Sequence, residues 1–201
     1  MNKTNNSDKR SRILASAIVL AERGGFEAVR LRDVAAHAEV ALGTVYKRFR
    51  SKDEIVIAAL DLEAEKLQRQ LQRRPAAGER PQDRVISFFQ RATNNLFRKP
   101  NLARAILRSL TSGDEQLTQN IATFHERMTN LIIAAMRGVG LEEIRPRPPH
   151  NTELMVAFVL QQVWFSALVG WMGGLISRTM VVDQVQMTLE LLLSGVRLDQ
   201  E

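Results

Sequence analysis

The chain has 201 residues, 45% of them hydrophobic and 25% charged, with a net charge of +6; this is the make-up of an ordinary folded protein with material for a core. It contains no cysteine, which excludes disulfides, thiol nucleophiles and thiolate metal sites, and its few aromatic residues beside long Ala-, Leu-, Arg-, Glu- and Gln-rich stretches point to helix. The excess charge is confined to one place: residues 1–52 hold 11 Lys and Arg against five Asp and Glu, whereas residues 53–201 hold 17 of each, the footprint of a small module that meets a polyanion.

The first eleven residues are polar, with Lys3, Lys9 and Arg10 and no apolar run before a cleavage site. No secretory signal is expected, and the cytoplasm is the expected compartment. From Arg10 onward Ile13, Leu14, Ala17, Ile18 and Ala21 recur at helical spacing. Ser7-Asp8 offers an N-cap and Gly24-Gly25 a stop, and Phe26 follows as a core plug. A second short helix is predicted from Leu31 to Ala38, with Leu31, Val34 and Ala35 inward. After Glu39-Val40-Ala41 comes a third, Leu42 to Phe49. Two short helices joined by a tight turn make a helix-turn-helix. In the third helix Val45 and Phe49 face inward and leave Thr44, Tyr46, Lys47 and Arg48 outward. A hydroxyl, a phenol and two cations suit phosphate and base-edge contacts in a major groove, and Gly43 keeps bulk low for a close approach.

The runs Gly25-Phe26-Glu27-Ala28-Val29, Leu31-Arg32-Asp33-Val34-Ala35, Val40-Ala41-Leu42-Gly43-Thr44-Val45-Tyr46 and Phe49-Arg50-Ser51-Lys52 together resemble the DNA-binding signature of the TetR family of transcriptional regulators. The resemblance implies that Thr44, Tyr46 and Lys47 meet DNA. It also implies that Lys52 opens a fourth helix beside a phosphate, where the helix dipole adds to the lysine's charge. Three residues depart from the family pattern. Arg30 stands where a Thr commonly caps the second helix, and Ala41 replaces a common Ser cap before the third, at a local cost of about 1 kcal/mol. Arg48 replaces a more usual His or aromatic. Arg30, Arg32 and Arg48 complete the expected set of DNA-binding residues. One such head reads only a few base pairs, and paired heads place their recognition helices about 34–36 Å apart. A homodimer on palindromic operator DNA is therefore expected.

A linker helix is predicted over 52–74, with Ile55, Val56, Ala59, Leu60, Leu67 and Leu71 inward, ending at Arg73-Arg74-Pro75-Ala76-Ala77-Gly78. Its Lys52 to Gln72 stretch is the expected lever between head and remainder. Pro81 restarts a helix that carries Val85, Ile86, Phe88, Phe89, Ala92, Leu96 and Phe97 up to Lys99-Pro100. Helices follow from Asn101 to Leu110 and from about Glu115 to Met136, the latter with Leu117, Ile121, Phe124, Met128 and Ile132 on its apolar face. Arg145-Pro146-Arg147-Pro148-Pro149 reads as an extended connector.

Residues 154–177 then carry no charge, and a stretch of that length could span a bilayer. Gln161, Gln162, Ser166, Gly170, Gly173 and Gly174, with no polybasic flank, favour instead a helix buried in a core and across a subunit interface. A last helix, about Asp183 to Leu193, is expected to join it in a four-helix unit with the symmetry mates. The expected division is therefore an all-α chain with a helix-turn-helix DNA-binding domain in 1–52 and a helical bundle for effector binding and dimerisation in 53–201.

Val163-Trp164-Phe165-Ser166-Ala167-Leu168-Val169-Gly170-Trp171 resembles the corresponding helix of the cholesterol-catabolism (KstR-type) repressors, with a weaker likeness around Arg91-Ala92 and Arg98 to Leu102. This implies a steroid-derived effector or an acyl coenzyme A thioester. Such a small hydrophobic effector needs a mostly apolar pocket, for which Phe88, Phe89, Phe124, Met128, Trp164 and Leu168 are the expected lining. The acids between 84 and 177 lie mostly near helix ends. That favours a neutral or anionic ligand over the cations of a multidrug-efflux regulator, the alternative within the same family. Arg91, Arg98, Arg104 and Arg108 are cations available to an anionic head group. His37, His125 and His150 match no zinc spacing. Gly138-Val139-Gly140 breaks its glycine motif at Glu143, and no nucleophile elbow or phosphate loop occurs. No catalytic residue, metal or cofactor is expected. A single-span membrane protein and a helical enzyme are the readings from other classes. Effector binding is expected to favour a dimer whose heads are mis-spaced, which requires a preference of several kcal/mol for that state.

Overall fold

The structure, a computed structural model, describes residues 2–144 and 146–194, with side chains from residue 8 onward. The described residues form α-helices and short 3₁₀ turns and no strand, in agreement with the all-α expectation. The helices are α1 (Asn2–Gly24), α2 (Leu31–His37), α3 (Leu42–Tyr46), α4 (Lys52–Arg73), α5 (Pro81–Phe97), α6 (Pro100–Leu110), α7 (Thr118–Arg137), α8 (Asn151–Met172) and α9 (Arg178–Ser194). α1 begins at Asn2, so Ser7 and Asp8 lie within it instead of capping it. Residue 145 of the proline-rich connector lies outside the described residues.

By contacts the chain divides into two compact units, one of Met1–Lys66 with Leu96–His125 and one of Leu67–Asn95 with Glu126–Glu201. Residues 96–125 thus pack with the head.

In the first unit, α1 buries Ile13, Leu14, Ala17 and Ala21 on the face that the spacing predicted, and Val29, Val34, Val45 and Phe49 are buried too. Gly25 ends α1 at φ 67°, a left-handed conformation that costs glycine nothing sterically. A Cβ on Gly24 would come within 2.8 Å of Ala28 Cβ, so both glycines are required for the chain to turn back into the 3₁₀ turn Phe26–Ala28. At the start of α4, Ser51 Oγ accepts from Glu54 N–H at 3.1 Å and Glu54 Oε2 accepts from Arg50 N–H at 2.6 Å, which satisfies donors that the helix itself leaves unpaired. Residues 55–60 of α4 are all buried. The apolar periodicity predicted a one-sided helix. Ile57 and Ala58 are buried as well, and the start of α4 is tied to the Phe26 turn and to α6: Lys52 meets Glu27, and Ser109 Oγ donates to Asp53 Oδ1 at 2.9 Å. Glu63 bridges Lys66 (2.8 Å) and Lys99 (3.0 Å). Burial works to raise its carboxyl pKa, but the hydrogen bonds from the two lysines outweigh this and lower it.

In the second unit Phe88 and Phe89 are fully buried and meet edge to face, ring centroids 5.1 Å apart; Phe89 lies 5.8 Å from Trp164. The buried indole N–H of Trp164 donates to Thr93 Oγ1 at 2.8 Å, which pairs a group that would be costly to leave alone. Arg84 closes the C-terminal end of α7, donating to the carbonyls of Ala135 (3.0 Å) and Met136 (2.7 Å), and to that of Glu79 (2.6 Å). Arg137 then ties the connector down: it pairs with Glu153 at 2.6 Å and donates to the carbonyls of Arg147 (2.6 Å) and Pro148 (3.2 Å).

α8 packs on α9. α8 buries Ala157, Leu160, Gln161, Trp164, Ala167, Leu168 and Trp171 and leaves Leu154, Met155 and Phe158 exposed. α9 buries Val181, Val185 and Leu189 and exposes Met180, Met187, Leu191, Leu192 and Leu193. Among the described residues, α8 alone is long and apolar enough to cross a membrane.

Candidate nucleic-acid interface

Both helices of the helix-turn-helix start without a side-chain cap. Arg30 and Ala41 occupy the N-cap positions in extended conformations, and neither side chain accepts from the helix. The turn between them is held from outside. Arg12 of α1 donates to the carbonyl oxygens of Ala38 (2.6 Å) and Glu39 (3.2 Å), and His37 Nδ1 lies 3.1 Å from Ser16 Oγ. Glu39 turns the chain at φ 51°, a conformation that L side chains disfavour. Arg12 lies outside the predicted set of site residues. The signal available for it was a cation immediately before the Ile13–Leu14 core pair, pointing off the apolar face.

α3 ends at Tyr46, three residues short of the predicted Phe49, and the chain then turns with Lys47 N–H donating to Gly43 O at 3.1 Å and Phe49 N–H to Val45 O at 2.9 Å. Val45 and Phe49 are buried, and Tyr46 is 54% exposed. Lys47, Arg30 and Arg32 are exposed, and Thr44 and Arg48 are half-buried. Gly43 is informative for what does not surround it: a Cβ there would meet nothing within 4 Å. No internal contact requires this glycine, so its missing side chain clears space only on the outer face.

Lys52 is paired within the head. Its Nζ donates to Glu27 Oε2 at 2.9 Å and sits 4.0 Å from the centre of the Phe26 ring. Arg108 of α6 reaches the other oxygen of the same carboxylate at 2.6 Å, its guanidinium 4.3 Å from the same ring. The hydrogen bond from Lys52 first, then that from Arg108, holds the Glu27 carboxyl below its ordinary pKa. α6 is tethered at its start as well: Asn101 Nδ2 donates to Glu22 O at 2.8 Å, and Leu102 N–H donates to Glu22 Oε2 at 3.2 Å. Glu27 and Arg108 join the site from outside the predicted set.

Of the expected effector-lining residues, Phe88, Phe89, Met128, Trp164 and Leu168 are buried in the second unit, where they pack as core. Phe124 belongs to the first unit, its ring 5.9 Å from that of His125. A cavity of about 250 Å³ in the second unit is bounded by Gln68, Leu71, Arg84, Leu131, Ala134 and Val139, among others. None of the six lines it. Arg91, one of the cations considered for an anionic head group, instead donates to the carbonyls of Arg74 and Pro75, closing the end of α4. Among the described residues, no three His, Asp or Glu side chains gather as metal ligands would.

Residues 13–59 match the family described as bacterial regulatory proteins, tetR family, and residues 78–192 match the tetracyclin repressor-like C-terminal domain. The HTH-type transcriptional repressor KstR of Rhodococcus jostii (strain RHA1) is 33% identical over 186 residues, 92% of this chain and 83% of that protein. In structure, a TetR transcriptional regulator from Rhodococcus sp. RHA1 superposes with a TM-score of 0.82 at 24% identity, covering 96% of this chain and 100% of that one. Thermus thermophilus FadR, solved in complex with lauroyl-CoA, gives 0.69 at 18% identity over 96% of this chain and 97% of its own. With both halves of the chain matched and a helix-turn-helix presenting Tyr46 and Lys47, the chain belongs to the TetR family of DNA-binding transcriptional regulators, which are not enzymes.

Proposed function

We propose that the chain is a ligand-responsive repressor that binds a palindromic operator as a homodimer in the cytoplasm and is released by a hydrophobic effector such as a steroid or an acyl-CoA thioester. The observation that carries the reading is the outward face of α3, where Tyr46 and Lys47 are exposed beside Thr44 and Arg48 with Gly43 clearing the approach. Arg30, Arg32 and Lys52 add charge for phosphate contacts, which position the head while α3 reads base edges. Residues 1–52 supply the DNA-binding part and residues 53–201 the effector-binding and dimerisation part.

Dimerisation is supported by the apolar side chains that α8 and α9 leave exposed, Met155, Phe158, Met187 and Leu191 among them. Contiguous exposed apolar surface of this kind marks an interface. For the effector, the KstR-like sequence of α8 and the acyl-CoA bound by the FadR neighbour favour a lipid-derived thioester. The cavity of about 250 Å³ lies just below the ~300–1,000 Å³ usual for ligand sites. A sterol-sized group is proposed to open the core of the same unit around Phe88, Phe89, Met128, Trp164 and Leu168.

The test is direct. Operator DNA is selected from a random duplex pool with the native protein, and binding is measured for Tyr46→Ala with Lys47→Ala. Loss of binding with an unchanged oligomeric state supports the reading; native affinity in that variant refutes the recognition-helix assignment. Phe158→Glu should shift the protein to monomer in sedimentation, and lauroyl-CoA or a sterol-acid thioester should dissociate the native complex.

A further inference from the structure

We propose that Glu27 is an acidic gate on DNA affinity, sharing its carboxylate between Lys52 at the start of α4 and Arg108 of α6, so that α6 sets how much of the lysine's charge reaches a phosphate. The proposal rests on the reading of Lys52 as a phosphate ligand.

Lys52 is the first residue of α4, a position where the helix's own partial charge is positive and a cation is unfavourable. Glu27 Oε2, 2.9 Å from the lysine Nζ, and the face of Phe26 offset this and fix the ammonium in one place. A phosphate approaching Lys52 therefore competes with Glu27 for the same donor and is repelled by the same carboxylate. Glu27 is not wholly committed to Lys52, however. Its second oxygen accepts from Arg108 Nη1 at 2.6 Å, and both cations lie over the one ring. While Arg108 is engaged it neutralises part of the carboxylate's charge. Withdraw it, and the whole negative charge falls on Lys52.

α6 holds to the head at both ends. It is bonded to α1 through Asn101, Leu102 and Glu22 at its start, and to α4 and the Phe26 turn through Ser109 and Arg108 at its end. The segment containing it, residues 96–125, is joined in sequence at both ends to stretches of the unit that holds the proposed effector core. A displacement of the last turn of α6 would move Arg108 relative to Glu27. A purely structural clamp would have no reason to recruit the lysine that opens α4.

The experiment measures binding by fluorescence anisotropy at several salt concentrations, on a duplex selected by the native protein from a random pool. Glu27→Gln, Arg108→Gln, the double variant and Lys52→Gln are compared with the native chain, each checked for folding by thermal melting. Glu27 has 67% of its side chain exposed, so Glu27→Gln should fold. Lys52→Gln should weaken binding and lower the salt slope by about 1 per head. Glu27→Gln should tighten binding about threefold, and Arg108→Gln should weaken it about threefold, the affinity equivalent of one exposed ion pair. In the Glu27→Gln background, Arg108→Gln should have no effect, a coupling that a double-mutant cycle isolates.

If Glu27→Gln leaves affinity unchanged or weakens it, or Arg108→Gln costs the same in both backgrounds, the gate is refuted while a Lys52-dependent affinity leaves the functional reading standing. If Lys52→Gln changes nothing, the phosphate role of Lys52 fails first and the gate with it.

Discussion

Replacing Glu153 by glutamine removes one charge from an ion pair in which only 13% of the Arg137 side chain and 21% of the Glu153 side chain remain exposed. The hydrogen bond from Arg137, together with the backbone N–H of His150, brings the Glu153 carboxyl from 4.5 down to about 2. At about 1.36 kcal/mol per pH unit the shift corresponds to roughly 3 kcal/mol, and the solvent still reaching the pair reduces this to about 2 kcal/mol. The glutamine amide could still accept a hydrogen bond, and Arg137 keeps the carbonyls of Arg147 and Pro148. The loss should therefore stay below the ~3–5 kcal/mol of a stranded buried charge.

The sign of the pH dependence follows from a folded pKa below the unfolded one. The stabilisation is fully present above about pH 5 and is lost as pH falls towards 2. Urea unfolding at fixed protein concentration, followed by the fluorescence of Trp164 and Trp171, should find Glu153→Gln less stable by about 2 kcal/mol at pH 7. The gap should narrow as pH falls below 5 and close near pH 2. A gap that persists unchanged at pH 3, or no gap at pH 7, would refute the assignment of this pair as a stabilising tie.

Glu39→Gly relieves an L residue at φ 51° at the expense of an exposed 3.4 Å pair with Arg12. A net gain of about 1 kcal/mol should raise the melting temperature by a few degrees, and a drop would mean that the Arg12 pair matters more than the strain. Ala41→Ser supplies the missing cap of α3 and should add about 1 kcal/mol; equal melting temperatures would argue that the hydroxyl does not reach the helix's first turn. Thr93→Val should cost about 1–3 kcal/mol by orphaning the Trp164 N–H. Adding Trp164→Phe should cost less than the sum of the two single changes, and strict additivity would show the hydrogen bond to contribute nothing.

Local events were legible along the chain. Gly24-Gly25, the Pro75–Gly78 break and Pro81 interrupt helices wherever they occur, and each bounds an element of the structure. The N-cap read at Ser7-Asp8 failed because a cap is worth only about 1 kcal/mol and does not stop a helix that continues upstream to Asn2. The exposed face of α3 was legible too, since Val45 and Phe49 must share one side of a helix and their neighbours then share the other.

What the sequence by itself determined is therefore an all-helical chain, a basic head with Tyr46 and Lys47 outward, and which side chains turn inward. Periodicity reports a direction and not what lies there. Phe88, Phe89 and Trp164 do face inward, but they meet one another, while a cavity arises where Leu71, Arg84 and Leu131 from separate helices and Val139 after α7 leave a gap. The burial of residues 55–60 of α4 on every side was not legible from its own periodicity. The pairing of Lys52 with Glu27 and Arg108 was not legible, because Glu27 lies 25 residues from Lys52 and 81 from Arg108 in the chain. Only packing brings those charges to one ring and one carboxylate, and charge interactions depend on that distance in space.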